Sequence, residues 1–328
     1  MAEDLTEAGP ALEPAAEPVA RRRAGLLRLL GVGALAAVLL VLGYYVVGAL
    51  WVGTIDDDPE FAVAMEVPAN ASRAVAMAAA LIDREVNQHR WVANDPWFQP
   101  GAVLDNMPNF QTGIVAALSR FAVELTDQIA RVRGASQVDP DADAAAGRLK
   151  YPGDVWIFEW SSTPVQPSSE SQYRRALEDL RRFNQRLADG QATFDQRGDN
   201  LMATLERIAA DIGGSSAALY QKIDTTANRW FDLTADDLFY HNKGRVYAYF
   251  LLLRELGRDF EKPIADRNAQ RSWEEMLSSL RAAALLDPWV VINGGLDSTM
   301  RPNHLAAQGF LILRARFQLY EVINILLK

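Results

Sequence analysis

Residues 29–55 carry no charged side chain, yet both flanks of the run are charged. Arg21, Arg22, Arg23 and Arg28 precede it; Asp56, Asp57 and Asp58 follow. A bilayer core about 30 Å thick is crossed by roughly 20 apolar residues at about 1.5 Å each, so the run predicts one transmembrane helix. Positive residues stay on the cytoplasmic side of a span, and no Lys or Arg occurs between Arg28 and Arg73. The expected topology is a cytoplasmic N-terminus and an exported C-terminal body. Tyr44, Tyr45 and Trp51 lie toward the outer end, where aromatic rings suit the headgroup zone. A cleaved signal peptide is the rival reading. Its apolar core runs about 7–15 residues and ends at small residues, whereas this run is longer and ends Leu50-Trp51-Val52-Gly53. An uncleaved anchor is therefore expected, with the lipid bilayer a partner through residues 29–55.

Three parts follow: a disordered cytoplasmic tail over 1–28, the span over 29–55 and a periplasmic domain over 56–328. The tail interleaves Pro10, Pro14 and Pro18 with Ala and Glu, a composition that buries too little to fold. The net charge is −9, and residues 1–28 hold five acids and four arginines, so the exported part is acidic. An acidic surface repels phosphate backbones, which excludes nucleic acid as a partner. Cysteine is absent, which excludes disulfides, thiol nucleophiles and Cys-based zinc sites and suits an oxidising compartment.

The helical period dominates the exported part. Val75, Ala79, Ile82 and Val86 recur at spacings of three and four, as do Ile114, Leu118, Phe121, Leu125 and Ile129. Tyr173, Leu180, Leu187, Phe194, Leu201 and Ile208 are each seven apart, which suits one long helix or a hairpin in coiled-coil packing. Gly213-Gly214 reads as a stop or hinge. Later helices are expected over 215–223, 235–256, 266–286 and 303–327, with 247–256 the most buried. The stretch 134–167 breaks the pattern. Its Asp/Ala half, 139–147, is expected as a mobile loop; its aromatic half, with Trp156, Phe158 and Trp160, is expected to pack on the helices. The fold class is all-α.

Two parts of the chain echo each other. Asp95-Pro96-Trp97, Leu104-Asp105, Met107-Pro108-Asn109 and Arg120 recur, with two inserted residues, as Asp287-Pro288-Trp289, Leu296-Asp297, Met300, Pro302-Asn303 and Arg314. The residue before proline resists helical geometry, so each Asp-Pro ends a helix. Asn is a good N-cap, so each Pro-Asn is expected to start the next. Internal self-similarity signals duplicated units, here two helix–loop–helix units. The structural reading assigns the matched residues to caps and turns; the functional one has both loops lining one ligand groove.

No catalytic motif stands out. His89, His241 and His304 lack the H-x-x-x-H or H-E-x-x-H spacing of a metal site and read as cap or surface residues. No metal and no cofactor is expected. Asp236-Asp237 and Glu274-Glu275 read as solvated faces rather than an acid/base pair. Trp156, Trp160, Trp230, Trp273, Phe231 and Phe239 read as interhelical packing before an aromatic cleft. The candidate ligand- or partner-binding set is Trp97, Trp289, Asn303, His304, Arg314, Trp156 and Trp160, with no catalytic residue assigned.

With the Asp-Pro-Trp loops, Trp156-Ile157-Phe158-Glu159-Trp160, Ser168-Ser169-Glu170-Ser171-Gln172-Tyr173 and Asn303-His304-Leu305-Ala306-Ala307 in view, the chain resembles a family of bacterial single-span inner-membrane proteins catalogued as a domain of unknown function. The resemblance runs from the span to the C-terminus. It implies an inner-membrane location and carries over no activity and no site residues. The expected function is a membrane-tethered periplasmic scaffold or binding protein with envelope protein partners. The alternatives are an envelope hydrolase using carboxylates near the Asp-Pro-Trp loops and a hydrophobic-ligand-binding domain.

Overall fold

The computed structural model describes residues 17–64, 66–130, 138–158, 165–226, 233–296 and 298–328. They form ten α-helices and no strand, in two units, Met1–Gly48 and Ala49–Lys328. The all-α expectation holds. The first helix, α1 (Glu17–Val52), already covers part of the tail expected to be disordered. Pro18 in its first turn tolerates the missing N–H, and Arg, Ala and Leu propagate the helix well. Its Gly25–Val52 stretch is long and apolar enough to cross a membrane.

In the second unit, α2 (Arg73–Asp83) is followed by a π-helical turn over Arg84–Gln88, and α3 (Asn106–Glu124) by one over Leu125–Ile129. Then come α4 (Pro140–Leu149), α5 (Ser169–Ala188), α6 (Gly198–Thr226), α7 (Leu233–Asp259), α8 (Glu261–Asp266), α9 (Gln270–Ala284) and α10 (His304–Leu327). Helix α7 is the axle: α2, α3 and α9 all pack on it. From Val246 to Leu256 only Arg254 escapes burial, as its run of apolar residues predicts. Asp259 at its end accepts the backbone N–H groups of Arg73 and Ala74 at 2.8 and 3.0 Å. A carboxylate there complements the partial positive charge of the α2 N-terminus.

The α3–α7 crossing is a backbone-close one. A Cβ added to Gly113 would lie 2.0 Å from the His241 carbonyl oxygen, and one added to Gly244 2.0 Å from that of Phe110. Each glycine thus admits the other helix's backbone.

Three expectations need correction. The Asp/Ala stretch is helix α4, not a mobile loop. Asp139 caps it, accepting from Asp141 and Ala142 N–H, with Pro140 next; Ala142, Ala145 and Ala146 form its buried face. Alanine supplies a close-packing helix face as readily as a flexible segment. Its neighbour α5 carries the buried Asp179, whose carboxylate meets Arg148 and Arg182. The seven-residue seam is split between α5 and α6. Gly190, at φ 69°, takes the left-handed position that ends α5; α5 packs on α2 and α4, and α6 on α10. Gly213-Gly214 neither stops nor bends α6. Gly213 leaves room for Arg316 of α10, whose Cζ would sit 2.9 Å from an added Cβ.

The internal echo is a likeness of sequence more than of caps. Asn303 is the N-cap of α10, its Oδ1 accepting the Ala306 N–H at 2.8 Å. Asn109 lies inside the first turn of α3, where Asp105 holds the cap position. The Asn109 side chain instead donates to the Asp105 carbonyl and the Asp237 carboxylate.

These packing differences give opposite expectations for one mutation type. Gly244→Ala improves helix propensity by about 1 kcal/mol yet overpacks the crossing, and a net loss of about 1–3 kcal/mol follows. Gly214→Ala meets nothing within 4 Å and gains about 0.5–1 kcal/mol. Urea denaturation of both full-length variants in detergent checks the sign of each.

Candidate functional site

A group of buried and half-buried polar residues meets the segment that follows α1. Helix α1 ends at Val52, and the chain is at once tied to the core. Val52 and Ile55 pack against it. Asp56 meets the buried Arg84 at 3.5 Å. Asp57 meets Lys243 at 2.7 Å, and that ammonium, 1% exposed, also donates to the Leu286 carbonyl at 2.7 Å. The Asp58 carbonyl accepts the Tyr247 hydroxyl at 2.8 Å. Arg254 donates to the Pro59 and Phe61 carbonyls at 2.8 and 2.6 Å. Arg84 lies over the rings of Phe61 and Tyr247 at 4.7 and 5.1 Å, in cation–π range. Residues 55–61 are thus a strap held by one lysine, two arginines and a tyrosine.

Behind the strap, Glu85 is buried beside Arg84 at 2.8 Å. Burial alone raises its carboxyl pKa, but the His89 ring, 3.9 Å away, and the Arg84 charge hold it below the usual value. The buried Gln111 joins the group, donating to Glu85 and the Arg90 carbonyl and accepting the Val92 N–H. The π-helical turn begins at Arg84, and its extra residue re-aims side chains that a regular α2 would place elsewhere.

A second group contains acids. Asp105, Asp236 and Asp237 converge where α3 begins and α7 begins. Burial, a hydrogen bond with Asp237 and the nearby charges push Asp105 up to about 7; burial and Asp237 push Asp236 up to about 6. Asp105 therefore exchanges a proton near neutrality, the property general acid/base chemistry requires. His241 behaves oppositely. Burial, then the Arg245 charge, lowers it to about 4. Arg245 donates to its Nε2 at 3.1 Å, leaving Nδ1 facing Thr112 at 3.3 Å. The ring is a neutral interhelical link on α7, not the surface or cap residue expected. No three His, Asp or Glu among the described residues are placed to hold a metal.

The candidate residues fall into separate places. Trp97 and Trp156 belong to one aromatic chain: Trp97–Phe98, Phe98–Trp156 and Trp156–Phe158 have ring centroids 5.7, 5.6 and 5.4 Å apart. Trp289 projects fully from the other loop. Behind it, Asn303 bonds the Asn293 side chain and the Gly294 carbonyl, and His304 Nδ1 accepts the Ile292 N–H at 3.0 Å. Both residues close that loop on itself. Arg314 is exposed on α10, between Phe310 and Phe317. Trp160, Trp230, Phe231 and Asp297 lie outside the described residues; Trp273 and Phe239 are core. An apolar concavity lies elsewhere. It is a groove of about 640 Å³ floored by Ala76, Ala79 and Ala80, with Leu180 and Asn184 opposite and Val63 on its rim.

Residues 32–231 and 221–327 match the family described as an uncharacterized protein conserved in bacteria, DUF2333. The chain belongs to this family. No curated protein and no solved structure matches it. DUF2333 membership agrees with the family resemblance carried by the loop motifs. Sequence reasoning singled out Asp236-Asp237 but missed Asp105, Arg84 and Lys243. The one signal for Lys243 was its place, with Arg245, at the head of the apolar run of α7.

Removing the Lys243 charge strands Asp57 and the Leu286 carbonyl. Lys243→Met is expected to cost about 3 kcal/mol, measured as a shift in the urea midpoint. For Asp105 the folded pKa of about 7 lies above the reference 3.8. The folded state keeps a proton that the unfolded state has released, so stability from this group falls as pH rises from about 4 to 7. Asp105→Asn is expected to remove that part of the decline, seen by comparing Tm against pH for variant and parent.

Proposed function

We propose that this chain is a membrane-anchored protein of the bacterial inner membrane, with a cytoplasmic N-terminus and a periplasmic helical body that binds envelope proteins as a scaffold. The four arginines ahead of the charge-free run 29–55, the apolar length of Gly25–Val52 and the bacterial family support the location. One observation carries the binding role. Helix α10 buries Leu305, Ile312, Leu319 and Val322, yet Phe310 and Phe317 are each 66% exposed, and Leu313 and Tyr320 lie exposed beside them. The spacing of three and four puts all four on one face. An apolar helical stripe in water is the usual form of a helix-in-groove contact, and Arg314 stands within it.

The hydrolase alternative draws on the acids at the first Asp-Pro-Trp loop, where burial pushes Asp105 up to about 7 and Asp95 and Asp236 up to about 6. The residues lining the alanine-floored groove include none of the three.

Two measurements test the reading. A C-terminal alkaline phosphatase fusion is expected to be active; an inactive fusion with an active cytoplasmic reporter overturns the topology. Phe310→Ser with Phe317→Ser is expected to abolish cellular function and site-specific photocrosslinking from position 313 while leaving the unfolding free energy within about 1 kcal/mol of the parent's. Asp105→Asn is expected to leave function intact. Loss of function in Asp105→Asn with the stripe variant unaffected points instead to catalysis.

A further inference from the structure

The two Asp-Pro-Trp loops present apolar side chains that the core does not use. Trp97 and Trp289 are 81% and 103% exposed. Phe98 and Val103 accompany the first, and Val290, Leu296 and Met300 the second; all are exposed. Scattered apolar residues on a surface need no explanation, but clusters mark contact with something apolar. Aromatic rings stacked edge to face, as from Trp97 to Phe158, are too ordered to be solvated linker.

What they meet follows from where the loops are fastened. A Cβ on Gly53, the first residue after α1, would lie 2.9 Å from Leu104 Cδ2, so the first loop rests on that residue. The second is held through Lys243, whose ammonium joins Asp57 to the Leu286 carbonyl with both contacts at 2.7 Å. Both loops are therefore pinned within five residues of the end of the apolar helix. A bilayer surface met at Val52 and Gly53 is therefore close to the fastened end of each loop.

We propose that the two loops face the bilayer that α1 crosses and seat Trp97, Trp289 and their apolar neighbours in its interfacial zone, so that the body lies on the membrane surface. This rests on reading α1 as an uncleaved anchor. Tryptophan suits that zone because its ring is apolar while its N–H reaches the headgroups. The nearby charges are mixed: Arg90 is paired with Asp95, and Asp287 is exposed. The contact is apolar, does not depend on anionic lipid and withstands salt, which screens exposed charges.

The absence of cysteine makes single-site labelling of the full chain direct. Four variants, Val103→Cys, Met300→Cys, Leu39→Cys and Arg271→Cys, keep both tryptophans. Each carries a polarity-sensitive fluorophore and is reconstituted in phosphatidylcholine vesicles containing lipids with a nitroxide near the headgroup or at the chain end. Arg271 sits at the far end of α9, roughly 20 Å from the second loop at about 1.5 Å per residue. The labels at 103 and 300 are expected to be quenched several-fold more than that at 271, more by the shallow nitroxide than the deep one, and equally in high salt. The label at 39 is expected to be quenched as well. If 39 is quenched while 103 and 300 match 271, the loops face water or a protein partner, and the inference fails with the anchor intact. If 39 is not quenched, the anchor itself fails and takes the inference with it. Quenching at 103 and 300 that salt abolishes overturns the apolar mode.

Discussion

The α3–α7 crossing, where Gly113 admits the His241 carbonyl and Gly244 that of Phe110, sets the rest of the body. Where two helices meet with no side chain between them, their backbones approach to within carbonyl contact, and everything flanking the crossing is drawn to short range. Thr112 reaches His241, Asn109 reaches Asp237, and the Phe110 and Tyr247 rings come to 5.8 Å between centroids. Lys243 and Tyr247, one residue before and three after Gly244, hold the strap. A methyl group at either glycine parts the helices and loosens all of these together.

The strap answers a problem of buried charge. Arg84, Glu85 and Lys243 are almost wholly out of water, and an isolated buried ion is unaffordable. Each has a partner: Arg84 has Glu85, Asp56 and two aromatic rings, and Lys243 has Asp57 and a carbonyl. Such a pair adds little net stability over an apolar substitute, but breaking one side is costly. The arrangement accordingly specifies position: the residues after α1 have one seat, defined by charge.

Much of the fold was legible from periodicity, because apolar spacing of three and four is what a helix buried on one side requires. The run at 247–256 showed its burial by lacking a polar face. The failures have specific physical causes. Asp139–Gly147 resembles flexible sequence by composition, yet Asp-Pro followed by acids and then Arg148 is also the order of a capped helix. Gly213-Gly214 resembles a break, but a glycine facing a neighbouring helix records a close approach that only the fold reveals. Asp56, Asp57 and Asp58 looked like a solvated flank because the chain gives no sign of the distant cations that claim two of them. The candidate residues were found as aromatics and caps; that the loops of Trp97 and Trp289 are fastened beside the same strap depends on Gly53 meeting Leu104 and Asp57 meeting Lys243, contacts between residues far apart in the chain.

The strap also decides how the body is set free. Most membrane-tethered domains hang on a flexible stretch where a protease can cut and shed an intact soluble form. Here Gly53 is already against Leu104 and Ile55 already packs on the core, so a protease has no extended strand to grip between helix and body. Release by clipping requires the strap to peel away first, against Arg84, Lys243 and Arg254 in turn. Turnover of this chain is thereby coupled to unfolding of its core, and a partner that stabilises the body also protects its attachment.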